Sequence, residues 1–217
     1  ATNVQSRGQQ WTFTVSRGAF AGPLDVRINL PGHHNVMNAL AAIAVATEEG
    51  IDDAAILTGL NAFAGVGRRF QVSETVTVDD MPVALVDDYG HHPTEVEAVI
   101  QTAREVWPER RLAMVYQPHR YSRTQDLFDD FVRVLSAVDA LLLLDVYAAG
   151  ESRIDGADSK ALAQAIRQRG QLSPIYAKDA NEAFDLLPNF VAAEDVLLVQ
   201  GAGNVNIISN RLTGDDD

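Results

Sequence analysis

The sequence predicts an α/β protein whose larger part is a doubly wound, mostly parallel sheet. Three observations carry this expectation. Residues 112–116, 140–144 and 196–200 are short, almost wholly apolar runs, the pattern of strands buried on both faces. Amphipathic segments of helical period separate them, as in β-α-β units. Charged and ring-bearing residues follow two of the strand-like runs directly, where open α/β sheets place their ligands.

The elements are expected in the following order. The chain opens in strand-like sequence, residues 11–15 and 24–30 alternate as strands, and Ala21-Gly22-Pro23 supplies turn chemistry between them. Pro31-Gly32 breaks the second strand, and a helix over 35–49 ends at Gly50. A further helix runs from Asp52 or Asp53 to Phe63, and Gly65-Val66-Gly67 reads as a hinge and domain boundary, giving units 1–66 and 67–217. Beyond it, strands 72–78 and 83–86 form a hairpin through Asp79-Asp80-Met81-Pro82. Helix 94–106, strand 112–116, helix 124–136 and strand 140–144 follow. Helix 159–169, strand 174–176, helix 181–187, strand 196–200 and helix 205–212 complete the pattern, and residues 215–217 read as a solvated tail.

Composition narrows the function. The 217 residues are 47% hydrophobic and carry a formal net charge of −13, which argues against nucleic-acid binding through phosphate neutralisation. No apolar run approaches the roughly 20 residues that span a bilayer, since the longest, 137–146, is interrupted by Asp139 and Asp145. The start has no basic region leading into an apolar stretch, so a cytoplasmic protein is expected. The first residue is Ala rather than Met, which suggests a piece of a longer protein. There is no cysteine to form disulfides or thiolate metal sites.

All five histidines fall in three short segments. A histidine metal protein is one explanation, but none of the pairs has the helical spacing that brings two rings to one ion, so no metal ligand is assigned. In Gly32-His33-His34-Asn35-Val36-Met37-Asn38, Asn35 and Asn38 share a helix face, where a carboxamide can read an adenine edge; alternatively Asn35 is the helix N-cap. Arg68-Arg69 after the hinge can grip a phosphate or lie solvated. In Asp87-Asp88-Tyr89-Gly90-His91-His92-Pro93-Thr94-Glu95, either aspartate can satisfy loop N–H groups, and Tyr89, His91 and His92 can line a polar pocket. In Gln117-Pro118-His119-Arg120-Tyr121-Ser122-Arg123, the two arginines lie three apart and can hold one carboxylate, or Arg123 can pair with Asp126 or Asp130. Asp145 to Glu151 and Gln200 to Val205 are weaker strand-end signals, and Gly201-Ala202-Gly203 reads as a tight turn.

These segments together resemble the Mur ligase family of peptidoglycan synthesis, through Gly-x-His-Asn-x-x-Asn, the Arg-Phe after the hinge, and the strand-end segments at 87–95 and 117–123. The resemblance spans nearly the whole chain and is weakest at 1–30 and 170–194. It implies a Rossmann-like C-terminal amino-acid-binding domain (67–217) preceded by the end of a central ATP-binding domain (1–66). It also implies ATP-dependent amide formation through an acyl phosphate, with ATP and Mg2+ as cofactors. The wording, including Tyr89-Gly90, is nearest to the alanine-adding branch, whose substrates are L-alanine and UDP-N-acetylmuramate. By resemblance, Asn35, Asn38, Arg69 and Asp88 lie at the nucleotide, and Tyr89, His91, His119, Arg120 and Arg123 at the amino acid. The arginines would hold the alanine carboxylate.

No Gly-x-x-x-x-Gly-Lys-Ser/Thr loop occurs, so no catalytic residue is assigned and the chain alone is expected to be inactive. A murein tripeptide recycling ligase of the same family and a non-catalytic nucleotide- or amino-acid-binding module are the alternatives.

Overall fold

The computed structural model describes residues 1–18, 22–170 and 172–215. Ala21 of the expected turn and Asp216 and Asp217 of the expected tail lie outside the described residues. The chain divides into two compact units, Ala1–Val66 and Gly67–Asp217.

The first unit is a three-stranded antiparallel sheet of β1 (Thr2–Arg7), β2 (Gln10–Val15) and β3 (Leu24–Ile28) with two helices, α1 (His33–Glu48) and α2 (Asp53–Ala62). Strict alternation in β2 and β3 puts Trp11, Phe13, Val15, Leu24, Val26 and Ile28 in the core with Val36, Ala39, Ile43 and Ile56 of the helices. Helix α1 begins two residues before the predicted start, because Gly32 takes φ 92 and serves as N-cap without a side-chain bond. Asn35 is therefore not the cap. Its Nδ2 donates to Pro31 O at 2.7 Å, and its Oδ1 accepts from Asn38 Nδ2 at 3.2 Å.

The second unit holds a six-stranded sheet in the order β4-β5-β9-β6-β7-β8, with β4 antiparallel to β5 and the remaining pairs parallel. Its strands are β4 (Gln71–Val78), β5 (Met81–Asp88), β6 (Leu112–Tyr116), β7 (Ala140–Leu144), β8 (Ile175–Ala177) and β9 (Val196–Gln200). A two-residue turn joins β4 to β5, with Asp79 and Asp80 both at positive φ (47° and 66°), as a type I′ hairpin requires. Consequently β5 starts two residues earlier than predicted. It also runs to Asp88, so both aspartates of the histidine-rich segment are strand residues rather than loop residues.

Helices cover both faces. On one lie α3 (Pro93–Val106), α5 (Phe128–Leu135) and α6 (Ser159–Gln168), packed around Val86, Met114, Leu141 and Leu198. On the other lie α7 (Ala180–Phe190) and α8 (Asn206–Thr213), packed around Leu85, Val115, Leu142 and Leu197. The predicted helix 124–136 is two helices, α4 (Tyr121–Asp126) and α5, because Leu127 leaves the helical region (φ −117, ψ 25). The break lets the consecutive residues Leu127 and Phe128 both pack on the core, which a continuous helix would splay by about 100°.

Strand β9 inserts between β5 and β6, so the sheet order reverses there and the loops after these three strands open side by side. At the end of β6, Tyr116 is fully buried, and its hydroxyl has no partner among the described residues. Burial pushes this phenol far above its ordinary range. Because a buried unpartnered hydroxyl contributes only its desolvation cost, Tyr116→Phe is expected to leave stability unchanged or raise it by up to ~1 kcal/mol. A fall in Tm would contradict this.

Candidate amino-acid site

Asp88 closes β5 and organises the loop beyond it. Its Oδ2 accepts from the Phe70 N–H at 2.9 Å, and its Oδ1 accepts from the Gly90 N–H and from Gln200 Nε2, each at 2.7 Å. Only 4% exposed, the carboxylate spends its accepting capacity inside the protein. The expectation that either aspartate satisfies loop N–H groups describes this geometry directly. Asp87 points to the opposite sheet face, where burial pushes its carboxyl up although Arg68, with Nε 3.5 Å away, pulls it back down.

Of the two arginines after the hinge, Arg68 is the tethered one: its Nη2 donates to Gly201 O at 2.6 Å, and its own carbonyl accepts from the Tyr89 N–H at 2.8 Å. Arg69 has a half-exposed side chain, 4.0 Å from Glu95 and 5.7 Å above the Tyr89 ring.

The next residues form the N-terminus of α3. His92 is its N-cap, with Nδ1 accepting from the Thr94 N–H, and Pro93 takes the first helical position. His92 is thus a capping residue and not a pocket wall. Glu95 completes the capping box: its Oε2 accepts from the His91 and His92 N–H groups at 2.9 and 3.0 Å. Burial opposes ionisation of Glu95, but these two N–H groups and the nearby His91 and Arg69 outweigh it and hold the carboxyl below its ordinary range.

The loop after β6 faces this one. His119 lies 5.6 Å from His91 between ring centroids and stacks on Tyr147 at 5.4 Å with an interplanar angle of 10°. Tyr89 meets His91 edge-on, so four rings from three strand-end loops form one wall. Burial lowers the His119 pKa, and His91, Arg123 and Arg120 lower it further against an opposing pull from Glu151.

Arg120 is the N-cap of α4 at φ 74, a conformation disfavoured for a side-chain-bearing residue. It is held by its N–H to Tyr147 O at 2.8 Å and by Glu151 at 3.9 Å. Glu151 also accepts from the Ser122 N–H at 3.0 Å and the Ser122 hydroxyl at 2.7 Å, which fixes the first turn of α4. Arg123 donates to His119 O at 3.2 Å and sits 3.3 Å from His119 Nδ1. It pairs with neither Asp126 nor Asp130; the cation 3.9 Å from Asp130 is Arg133.

The structure therefore brings Arg69, Tyr89, His91, His119, Arg120 and Arg123 to one end of the six-stranded sheet, while Asn35 and Asn38 belong to the other unit. Sequence reasoning held the segment containing Tyr147 and Glu151 only as a weaker strand-end signal and assigned neither residue to the site, although the structure sets Tyr147 on His119 and Glu151 beside Arg120 and Ser122. The arrangement offers two guanidinium groups at a helix N-terminus for a carboxylate, and imidazoles beside them for proton transfer. Among the described residues no three His, Asp or Glu side chains converge as a metal site.

Residues 68–203 match the family described as Mur ligase, glutamate ligase domain. The chain is 52% identical over 212 residues to the UDP-N-acetylmuramate–L-alanine ligase of Methylococcus capsulatus, covering 98% of this chain and 45% of that protein. It thus spans about half the length of the curated relative it matches. Among solved structures, the UDP-N-acetylmuramate-alanine ligase of Thermotoga maritima matches with a TM-score of 0.73 and 27% identity, over 96% of this chain and 43% of that one. A murein peptide ligase of Psychrobacter arcticus matches with a TM-score of 0.65 and 22% identity, over 97% of this chain and 42% of that one, a likeness of fold.

Proposed function

The chain belongs to the Mur ligase family, and from that membership we propose that its parent protein is an ATP-dependent ligase that joins L-alanine to UDP-N-acetylmuramate. The observation that carries the proposal is the Arg123 guanidinium, free of ion pairs among the described residues and set with Arg120 in the first turn of α4 beside His119. Such a seat suits the carboxylate of a small amino acid. The 52% identity to an alanine ligase supports alanine as that amino acid.

In this mechanism Arg120 and Arg123 hold the carboxylate, and the rings of Tyr89, His91 and His119 border the amino group. ATP supplies the phosphoryl group that activates the carboxyl of UDP-N-acetylmuramate, and the alanine nitrogen then displaces phosphate to form the amide. Arg69, with a half-exposed guanidinium, suits a phosphate or ribose of the nucleotide. Asp88 acts through the loop it pins, since its oxygens are engaged internally. Among the described residues no donor set fits Mg2+, so no step is assigned through it. The 217 residues contain no phosphate-binding lysine loop, and the chain by itself is expected to be inactive. A cytoplasmic reaction fits nucleotide substrates of this kind, and no helix among the described residues is long and apolar enough to cross a membrane.

Phosphate release by the parent protein tests the assignment. Release is expected only with UDP-N-acetylmuramate and L-alanine both present. Activity with a preformed tripeptide and none with alanine would favour a recycling ligase instead.

A further inference from the structure

Which ring nitrogen carries the proton at each imidazole follows from the groups beside it. A carbonyl oxygen only accepts and a guanidinium only donates, so each partner dictates the tautomer. His91 Nδ1 lies 3.2 Å from Tyr89 O and 3.7 Å from Glu95 Oε2. Both neighbours are acceptors, so Nδ1 holds the proton and Nε2, on the far side of the ring, presents a lone pair. His119 is reversed. Its Nδ1 lies 3.3 Å from Arg123 Nη1, which can only donate, so the lone pair sits at Nδ1 and the proton at Nε2. Two adjacent rings thus offer opposite functions, one accepting a proton and one donating a hydrogen bond.

From this geometry we infer that His91 is the base that takes a proton from the incoming amino group, oriented by Glu95, while His119 donates from Nε2 to an anionic oxygen of the reactants. The inference rests on the ligase assignment above. An amino acid arrives as an ammonium, which has no lone pair with which to attack. His91 Nε2 removes one proton and becomes an imidazolium, whose Nδ1–H stays on the Tyr89 carbonyl and faces the Glu95 carboxylate. The freed pair attacks the acyl carbon of the acyl phosphate and the C–N bond forms. The C–O bond to phosphate then breaks with its electron pair on the phosphate oxygen, which takes the second proton shed by nitrogen. The imidazolium returns its proton to solvent. Among the described residues Glu95 is the carboxylate paired with His91; Arg69 lies 4.0 Å from the same Glu95, and the His119 ring lies 5.6 Å from the His91 ring. Glu95 is itself immobilised by two backbone N–H groups, as an orienting carboxylate must be.

Two measurements on the intact ligase test this. Multiple-bond proton–nitrogen NMR is expected to give His91 as the Nδ1–H tautomer and His119 as Nε2–H; an Nε2–H tautomer at His91 overturns the inference whether or not the enzyme ligates alanine. Kinetically, His91→Gln is expected to lower kcat with L-alanine by about 10²–10⁴-fold, the usual span for losing a general base, with the alanine KM nearly unchanged. Hydroxylamine, whose nitrogen is already unprotonated at neutral pH, traps the acyl phosphate as a hydroxamate. The variant is expected to form that hydroxamate at the wild-type rate, which also reports a folded site. Glu95→Gln is expected to lose part of the alanine kcat and to keep hydroxamate formation. Equal losses with alanine and hydroxylamine, or an unchanged alanine kcat in His91→Gln, overturn the inference. If the ligase assignment itself is wrong, the wild-type enzyme forms neither product, and the inference falls with it.

Discussion

Replacing Arg123 by alanine in the intact ligase is expected to raise the KM for L-alanine by one to two orders of magnitude while leaving the KM for ATP within about twofold. The size follows from losing a charge-assisted hydrogen bond worth ~1.5–3 kcal/mol. Arg123 has no carboxylate partner among the described residues, so the substrate does not compete with an internal ion pair for it. Its Nη1 is committed to His119, which fixes the plane of the guanidinium and leaves its other N–H groups to face a ligand. Lysine cannot reproduce both contacts, so Arg123→Lys is expected to behave more like the alanine variant than like wild type. Steady-state kinetics with each substrate varied in turn check this; equal changes in the two KM values would contradict it.

The second large effect is structural. Gly201→Ala is expected to destabilise the six-stranded unit by about 3 kcal/mol, because overpacking and a disfavoured backbone conformation add at one position. Gly201 sits at φ 150, and an added Cβ would lie 2.7 Å from the backbone oxygen of Gln117 and 3.3 Å from Val205 Cγ1. Neither neighbour is free to yield. Gln117 is pinned by its N–H to Gln200 O, its Nε2 to Asn204, and its Oε1 from the Val205 N–H. Gly201 also donates its N–H to Asp88 O and accepts from Arg68 Nη2, so a shift there propagates to the loops after β5 and β6. For a chain of this size the loss corresponds to a Tm lower by roughly 6–12 °C. An unchanged Tm would contradict the packing described.

Most of the architecture was legible because its strands are buried on both faces. Runs such as Leu141 to Leu144 and Val196 to Val199 can hardly be anything else in a chain of this composition, and the helices between them carry plain amphipathic patterns. The misreadings came where tertiary contacts overrule local preference. The break at Leu127 has no glycine or proline to announce it and exists so that two consecutive apolar side chains can both reach the core. Gly32, not Asn35, caps α1, since a glycine at φ 92 lets the helix begin without a side-chain acceptor.

The rings and arginines that gather at the strand ends were legible, and the residues that support them were less so. Histidines and arginines at strand ends stand out in an acidic chain, whereas Glu151 and Gln200 sit in segments that read only as weaker strand-end signals, and their partners Ser122 and Asp88, 29 and 112 positions away, are supplied by the fold. His92 shows the converse. A histidine in a conspicuous cluster is there to cap a helix, and only the position of Pro93 hints at it.

The measurement that bears most directly on the central claim is a structure of the intact protein with L-alanine and a nucleotide bound. The alanine carboxylate is expected within hydrogen-bonding distance of the Arg120 and Arg123 guanidinium groups, with the amino group directed toward His91 Nε2. Alanine bound away from the loops after β5 and β6, with Arg123 left solvated, would contradict the assignment.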